Sequence, residues 1–377
     1  MNELKYAFTQ LQYEVTLFSF DPHQIEPFIQ LSKNKYEAVI DFNSTLPRFC
    51  DENGVPYLDY FAAPFYDYIL DHPLYHHDML KIPLKNYHVI CLDEEHKCYI
   101  QTYYPHIKDV RCMPLFAMPS STLPDFSIPF RTRPYDLLFT GTYTPLPVAE
   151  RLIAQAAPDI KKEYLALIEI RKNNLALTME DAMDLYVHQL GISLSKEQFS
   201  NFVHAYYPVD FYMSAYVRDM VIRYLLLHNI PITVAGHGWD MFTAEHTPLL
   251  TYLGEFTYEN SLTLFAKSKI SLNIMPGFTN GSHDRVYNSM LHKSVCCTDE
   301  TNFLKQEFMQ EKDILFYSLP SIQNGDKTLA NLLSKYLMDS SIETNLLKLE
   351  CIAENGYTHM LNQHMAVQQV RELFVVE

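Results

Sequence analysis

The chain has 377 residues, 48% hydrophobic and 20% charged, with 29 Lys and Arg against 45 Asp and Glu for a formal net charge of −16 at pH 7. That is globular composition at a length suited to two domains rather than one core. The acidic balance argues against a nucleic-acid partner, which needs a basic face. A small anion remains compatible, because a phosphate pocket asks only for helix N-termini and one or two cations.

The first residues, Met1-Asn2-Glu3-Leu4-Lys5, lack the basic and apolar regions of a signal peptide. Leu4 to Leu11 carries apolar residues at helical spacing, and Tyr13 to Phe20 then alternates like a strand. Further strands are predicted at Ala38–Asp41, Pro56–Asp59, His88–Leu92 and Val110–Met113, most of them separated by helical stretches. This β-α-β-α pattern predicts a parallel sheet wrapped by helices. A doubly wound domain normally opens on a strand ahead of its first helix, so the expectation is a first domain, residues 1–130, lacking its first strand.

A connector marked by Pro114, Pro119, Pro124, Pro129 and Pro134 reads as an extended linker. Beyond it, Tyr135 to Tyr143 is a strand ending in a glycine turn, and 146–229 is mostly helical with a break near Gly191. Strands return at Ile232–Ala235, Leu250–Leu253, Ile270–Ile274, Ser294–Thr298 and Ile314–Tyr317, and 326–374 is helical. Residues 131–377 thus form a second α/β domain, whose last helices are expected to pack back toward the first. No stretch approaches the ~20 apolar residues of a membrane helix. Seven cysteines without a CxxC pair, two of them in the apolar run Cys296-Cys297, fit a reduced cytoplasmic protein.

Five of the ten glycines fall between Gly236 and Gly281, each just after a predicted strand. Ligands of parallel sheets bind at the carboxyl ends of strands, where glycine lets the backbone approach closely; the same glycines also suit tight strand-to-helix turns. The stretch Asn280 to Met290 is sharper. A glycine turn at Gly281 leads into a helix with Ser282 or Asp284 as N-cap, and its free N–H groups suit a diphosphate. Arg285 supplies a cation, His283 a second donor, and Asn288 a bond to a ribose or sugar hydroxyl. Asp284 repels phosphate and is read as a cap, an Arg285 partner or a contact for sugar hydroxyls. Nearby, Gly236 and the single tryptophan, Trp239, either pave the cleft or fill a gap between strand and helix. Glu255 and Phe256 suit a nucleobase, and Gly141 and Thr142 a phosphate. Phosphoryl transfer of the P-loop type, HExxH metal chemistry and a GxSxG nucleophile are unsupported. His76-His77-Asp78 does not converge as a metal cluster would.

Taken in order, Ile232 to Trp239, Tyr252-Leu253-Gly254-Glu255, Ser268 to Asn273, His283 to Met290 and Val295 to Asp299 resemble the C-terminal domain of group-1-type glycosyltransferases, nearest to the CgeB-like (spore maturation protein-like) branch. The resemblance implies a GT-B fold of two Rossmann-like domains facing a cleft. The donor, a nucleotide-diphosphate sugar with UDP as the default, belongs in the C-terminal lobe, and a glycan, protein or other acceptor in the N-terminal lobe. It also implies metal-independent transfer, with no cofactor beyond the donor co-substrate, and places His283 and Arg285 at the phosphates. Many relatives carry Glu-x7-Glu where this chain has Asn280 and Asn288. An inverting reaction needs a base, for which Asp41, Asp59 and Asp93 are the candidates. The other readings are a non-catalytic nucleotide-sugar or glycan-binding protein and an interaction module of a glycosylation assembly.

Overall fold

The computed structural model describes residues 2–118, 126–244, 247–338 and 342–374. Helix α1 (Asn2–Gln10) buries Leu4 and Ala7, and α2 (Glu26–Leu31) buries Phe28. Four strands follow, β1 (Val39–Phe42), β2 (Phe65–Tyr68), β3 (Tyr87–Cys91) and β4 (Asp109–Cys112), with α3 (His77–Leu80) before β3 and α4 (Glu94–Tyr103) before β4. They pair in parallel in the order β1-β2-β3-β4.

Two expected strands are corrected. Tyr13 to Phe20 forms no strand; Phe18 and Phe20 instead pack against Phe28 at 5.8 and 5.1 Å between ring centroids, so burial of alternate rings needs no ladder there. Pro56–Asp59 is largely a 3-10 turn (Tyr57–Tyr60), and the strand forms later, at Phe65–Tyr68. A fully buried aspartate, Asp67, interrupts the apolar run that would have marked it. Among the described residues no strand precedes Val39.

The second half opens with β5 (Tyr135–Thr140), then α5 (Leu146–Ala154), α6 (Pro158–Asn173), α7 (Met179–Gln189), α8 (Lys196–Ala205) and the long α9 (Tyr207–Leu227). A reciprocal capping box starts α8: Gln198 N–H donates to Ser195 Oγ, and Ser195 N–H to Gln198 Oε1. Next come β6 (Ile232–Ala235), β7 (Leu250–Tyr252), α10 (Tyr258–Phe265), β8 (Ser268–Asn273), α11 (Asp284–Leu291), β9 (Val295–Asp299), α12 (Asn302–Glu307) and β10 (Leu315–Tyr317). The chain finishes through α13 (Leu319–Gln323), α14 (Thr328–Leu337), α15 (Ile342–Gln363) and α16 (Ala366–Phe374).

The described residues divide into two compact units, Met1–Pro114 with Val187–Tyr207, and Leu115–Tyr186 with Pro208–Glu377. The first unit thus ends at 114 rather than 130 and takes α8 from the later helical stretch. Within it, Phe199 of α8 stacks on Tyr103 of α4 at 5.3 Å. Of the expected connector, Pro119 and Pro124 lie outside the described residues. The fold is α/β with two Rossmann-like parallel-sheet units.

The two sheets differ in one way that positions a site. The first runs in sequential order with no reversal. The second, β10-β9-β8-β5-β6-β7, is also wholly parallel and reverses its order between β5 and β8. In an open α/β sheet such a reversal opens a crevice at the carboxyl ends of the two strands. Leu137 and Phe139 of β5, Ile270 and Leu272 of β8, and residues of α9, α14 and α15 form the core beneath it.

Candidate functional site

At the carboxyl end of β5 the chain turns through Gly141 (φ +153°), beside Gly236 (φ +132°) and Gly238 (φ +86°) after β6. A Cβ on Gly236 would stand 2.4 Å from Gly141 O, and one on Gly238 2.2 Å from Tyr143 O. Both contacts are with backbone, so no side-chain movement relieves them, and strand-turn packing alone demands glycine here. Trp239 is 2% exposed, donates Nε1–H to Gly141 O at 2.8 Å and stacks on Tyr143. The tryptophan plugs the core under the turn and does not pave a cleft.

Across the reversal, α11 begins at Asp284 with His283, not Ser282 or Asp284, as its N-cap. His283 Nδ1 lies 2.6 Å from Asp284 Oδ1. It is also 3.3 Å from Arg285 N–H. One nitrogen cannot donate to the first and accept from the second, and the shorter, charge-assisted contact is the stronger claim on it. Tyr258 O–H donates to Asp284 Oδ2 at 2.9 Å. Burial works against the Asp284 charge, but His283, Arg285 and the Tyr258 hydroxyl outweigh it and hold the carboxyl well below the usual carboxylate range. Asp284 is therefore an ionised, fully engaged group.

Asn288, expected at a sugar hydroxyl, is 1% exposed. Its Oδ1 accepts from Met118 N–H at 2.8 Å, and its Nδ2 donates to Tyr258 Oη at 2.9 Å and Asp284 Oδ2 at 3.2 Å. Every polar atom of this amide is engaged within the protein, so it ties α11 to the segment before residue 119 rather than holding a ligand.

Arg285 reaches back to the crevice. Its Nη1 donates to Asn273 Oδ1 at the end of β8, at 2.6 Å, and its guanidinium lies 5.1 Å from the Phe139 ring centroid. Its Nη2 would be 3.1 Å from a Cβ on Gly141, which places the charge directly over that turn. A second arginine shares the ring: Arg218 of α9 stands 5.7 Å from the Phe139 centroid and donates to Thr142 O at 2.6 Å. The Arg218 Nε is buried without a partner, and burial, then the neighbouring Arg285 charge, pulls this guanidinium down to about 10. Burial also lowers Arg285. Among the described residues neither arginine has a carboxylate ion pair, although α9's other buried charges do. Asp210 is paired with Arg171 at 2.7 Å and Asp219 with Arg223 at 2.6 Å. Asp299, at the end of β9, is pushed by burial up to about 7 despite the nearby Arg285. Two like charges, partly desolvated and with no carboxylate in ion-pair contact, mark a place where an anion is favourable.

Arg218 was missed by sequence reasoning. Its signal was there: α9 is apolar on most sides, so each charge in it must face a partner or a ligand. Tyr258 and Asn273 also escaped, since each lay inside a longer stretch and was not singled out.

The remaining expected residues scatter. Thr142 is exposed and contributes its carbonyl, Gly281 is buried and accepts from Thr301 Oγ1 at 2.9 Å, and Ser282 is fully buried. Asn280 is half-buried in the loop before α11. Glu255 and Phe256 follow β7, two strands from β5; Glu255 pairs with His237 at 2.7 Å, both side chains more than 60% exposed. In the first unit each proposed base has a local task. Asp41 accepts from Leu46 N–H at 2.7 Å, Asp59 from Lys85 N–H at 2.9 Å, and the buried Asp93 caps α4 through Glu95 N–H at 2.7 Å. Asp59 sits before β2, not at a strand's carboxyl end, and lines a cavity of about 230 Å³ at the amino ends of β2 and β3. His77 bonds Tyr104 and Asn201, both at 2.8 Å, as a structural side chain.

Residues 218–374 match the family described as glycosyl transferase-like. The chain therefore carries a glycosyl transferase-like region that begins at Arg218 and includes β6 through α16. No curated protein matches the chain by sequence. Among solved structures it is similar to TarM (10% identity, TM-score 0.47), covering 93% of this chain and 57% of that one. It is similar to Anabaena HepE in complex with UDP and glucose (10% identity, TM-score 0.47), covering 98% and 88%. It is also similar to sucrose-phosphate synthase from Thermosynechococcus elongatus (9% identity, TM-score 0.45), covering 96% and 82%. The chain thus spans little more than half the length of TarM, and likenesses at these scores assign neither donor nor acceptor. Among the described residues no helix is long and apolar enough to cross a membrane, and the seven cysteines are free.

Proposed function

We propose that this chain is a GT-B glycosyltransferase of the group-1 type, on its CgeB-like branch, that transfers a sugar from a nucleoside-diphosphate donor. The observation that carries the reading is the pair Arg218 and Arg285, two partly desolvated guanidiniums without carboxylate ion pairs at the strand-order reversal between β5 and β8. A diphosphate bound there receives charge-assisted bonds from both, and the half-exposed His283 adds a ring nitrogen. As the sugar leaves, negative charge builds on the diphosphate, so the same cations stabilise the transition state without a metal ion. UDP is the default nucleotide, and a glycan, protein or other acceptor takes the sugar. The two domains of the reading are 1–130 on the acceptor side and 131–377 on the donor side, with the boundary adjusted to 114. A reducing, cytoplasmic location belongs to the same reading and rests on seven cysteines without a CxxC pair.

The local tasks of Asp41, Asp59 and Asp93 favour either a retaining mechanism, which needs no such base, or a second reading in which nucleotide sugar binds without turnover. A thermal-shift screen of UDP, GDP, dTDP and their sugars, followed by donor-hydrolysis assays, separates these. A nucleotide that binds only the folded chain raises its melting temperature. We expect a shift that Arg285→Ala abolishes. No shift with any nucleotide defeats the donor-site reading, and a shift without turnover leaves binding alone.

A further inference from the structure

Away from the arginine pair, three side chains distant in sequence converge. Glu307 ends α12, His359 lies near the end of α15, and His364 follows α15. Both imidazole Nε2 atoms face the same carboxylate oxygen, Glu307 Oε1, at 3.4 Å from His359 and 2.5 Å from His364. One ligand atom from each residue falls within 4.8 Å of the other two. The imidazoles are stacked with centroids 5.6 Å apart, and packing holds each in place: Phe308 lies 4.7 Å from His359, and Tyr287 4.7 Å from His364.

We propose that Glu307, His359 and His364 form a binding site for a divalent transition-metal ion of the zinc class. Two imidazole nitrogens and one carboxylate oxygen are the donor set such ions take, with water in the fourth position. In a tetrahedral shell with bonds of about 2.1 Å, donor atoms stand roughly 3.4 Å apart. The His359 to Glu307 edge already has this length, and the His364 edge must open by about 1 Å to match. Glu307 and His359 keep 16% and 19% of their side-chain surface, so solvent reaches the site and an ion has a way in. His364 Nδ1 is buried without a partner, and the support that fixes ligand orientation in tight sites is missing there. Binding is therefore micromolar in class, about ten- to a hundredfold weaker than in a fully supported site. Tyr287, on His364, lies two residues beyond Arg285 on α11, so the bound ion braces the helix that carries that arginine. The site does not depend on the donor reading, because its ligands and its test are separate.

The test uses the full chain, stripped with EDTA under reducing, non-coordinating conditions and titrated with Zn²⁺ or Co²⁺. We expect one ion per chain, a melting temperature several degrees higher, and a Co²⁺ spectrum of a four-coordinate nitrogen–oxygen site. His359→Ala and Glu307→Gln, shown folded by circular dichroism in EDTA, lose at least about tenfold in affinity. No binding by the wild-type chain overturns the proposal. So does equal binding by the variants, or a thiolate charge-transfer band, since the exposed Cys50, Cys98 and Cys351 would then hold the ion. Where a variant does not fold, the wild-type spectrum alone distinguishes nitrogen–oxygen from thiolate ligation.

Discussion

Arg218 and Arg285 flank one phenyl ring, and burial disfavours the charge of both. Removing one charge should therefore relieve the unliganded protein while harming the site, as expected when function is held against stability. Arg218→Met is predicted to raise the melting temperature without ligand by about 2–4 °C. The same change should weaken nucleoside-diphosphate binding about tenfold or more, as loss of a charged hydrogen bond does. Calorimetry with and without nucleotide reads both; a lower unliganded melting temperature would show that the Arg218 to Thr142 bond outweighs the desolvation. Asn288 serves the fold rather than the ligand. Asn288→Ala leaves Met118 N–H without an acceptor and removes the amide donor to Tyr258 Oη and Asp284 Oδ2, and should cost about 2–3 kcal/mol in urea unfolding. A stable Asn288→Ala protein altered only in KM would restore the sugar-contact role. The positions Asn280 and Asn288 were visible as departures from a motif, but not that Asn288 turns inward. That was decided by Met118, 170 residues away in sequence.

At the scale of elements, the strand-end turns carry the site through their close approach. Gly238 combines φ +86° with a Cβ position 2.2 Å from Tyr143 O. Gly238→Ala therefore strains the backbone and forces apart the turns after β5 and β6, at a predicted cost of about 3 kcal/mol or more. A loss under 1 kcal/mol by denaturant titration would mean the turns yield easily. Most strands of the second sheet were legible, because parallel strands buried on both faces read as short apolar runs between turns. Failures came where a polar residue sits in a strand, as Asp67 does in β2, or where rings alternate without pairing, as Phe18 and Phe20 do. Where Arg218 lands was illegible for a related reason. A helix predicts that a buried charge needs a partner, but not which strand end it meets.

Over the whole molecule, buried titrating groups of opposite sign shape the acid response of the second unit. Burial pulls His292 down to about 4 from 6.5, so the fold favours neutral imidazole. That contribution is complete above 6.5 and is lost as pH falls toward 4, up to about 3 kcal/mol. Asp299, raised by burial to about 7 from 3.8, works the other way. The fold favours its protonated form, so acidification from pH 7 to 4 restores up to about 4 kcal/mol. The wild-type chain should thus show a shallow stability profile between pH 7 and 4. His292→Gln, keeping an N–H for Asn288 O, should grow more stable on acidification, and Asp299→Asn should lose stability. Identical slopes for all three proteins in pH-resolved urea melts would contradict these assignments.

Chain-local physics determined much of this protein. Apolar periodicity announced two α/β units, glycine after strand marked the crowded turns, and the run around Arg285 singled out one cation of the proposed site. Tertiary structure alone decided which strands neighbour each other, and so where the order reverses between β5 and β8. It also set Arg218 beside Arg285, turned Asn288 and Trp239 inward, and gathered Glu307, His359 and His364. The division has a physical cause. Periodicity and turn chemistry are properties of neighbours along the chain, whereas a side chain's partner depends on which distant surface the core brings within a few ångströms of it.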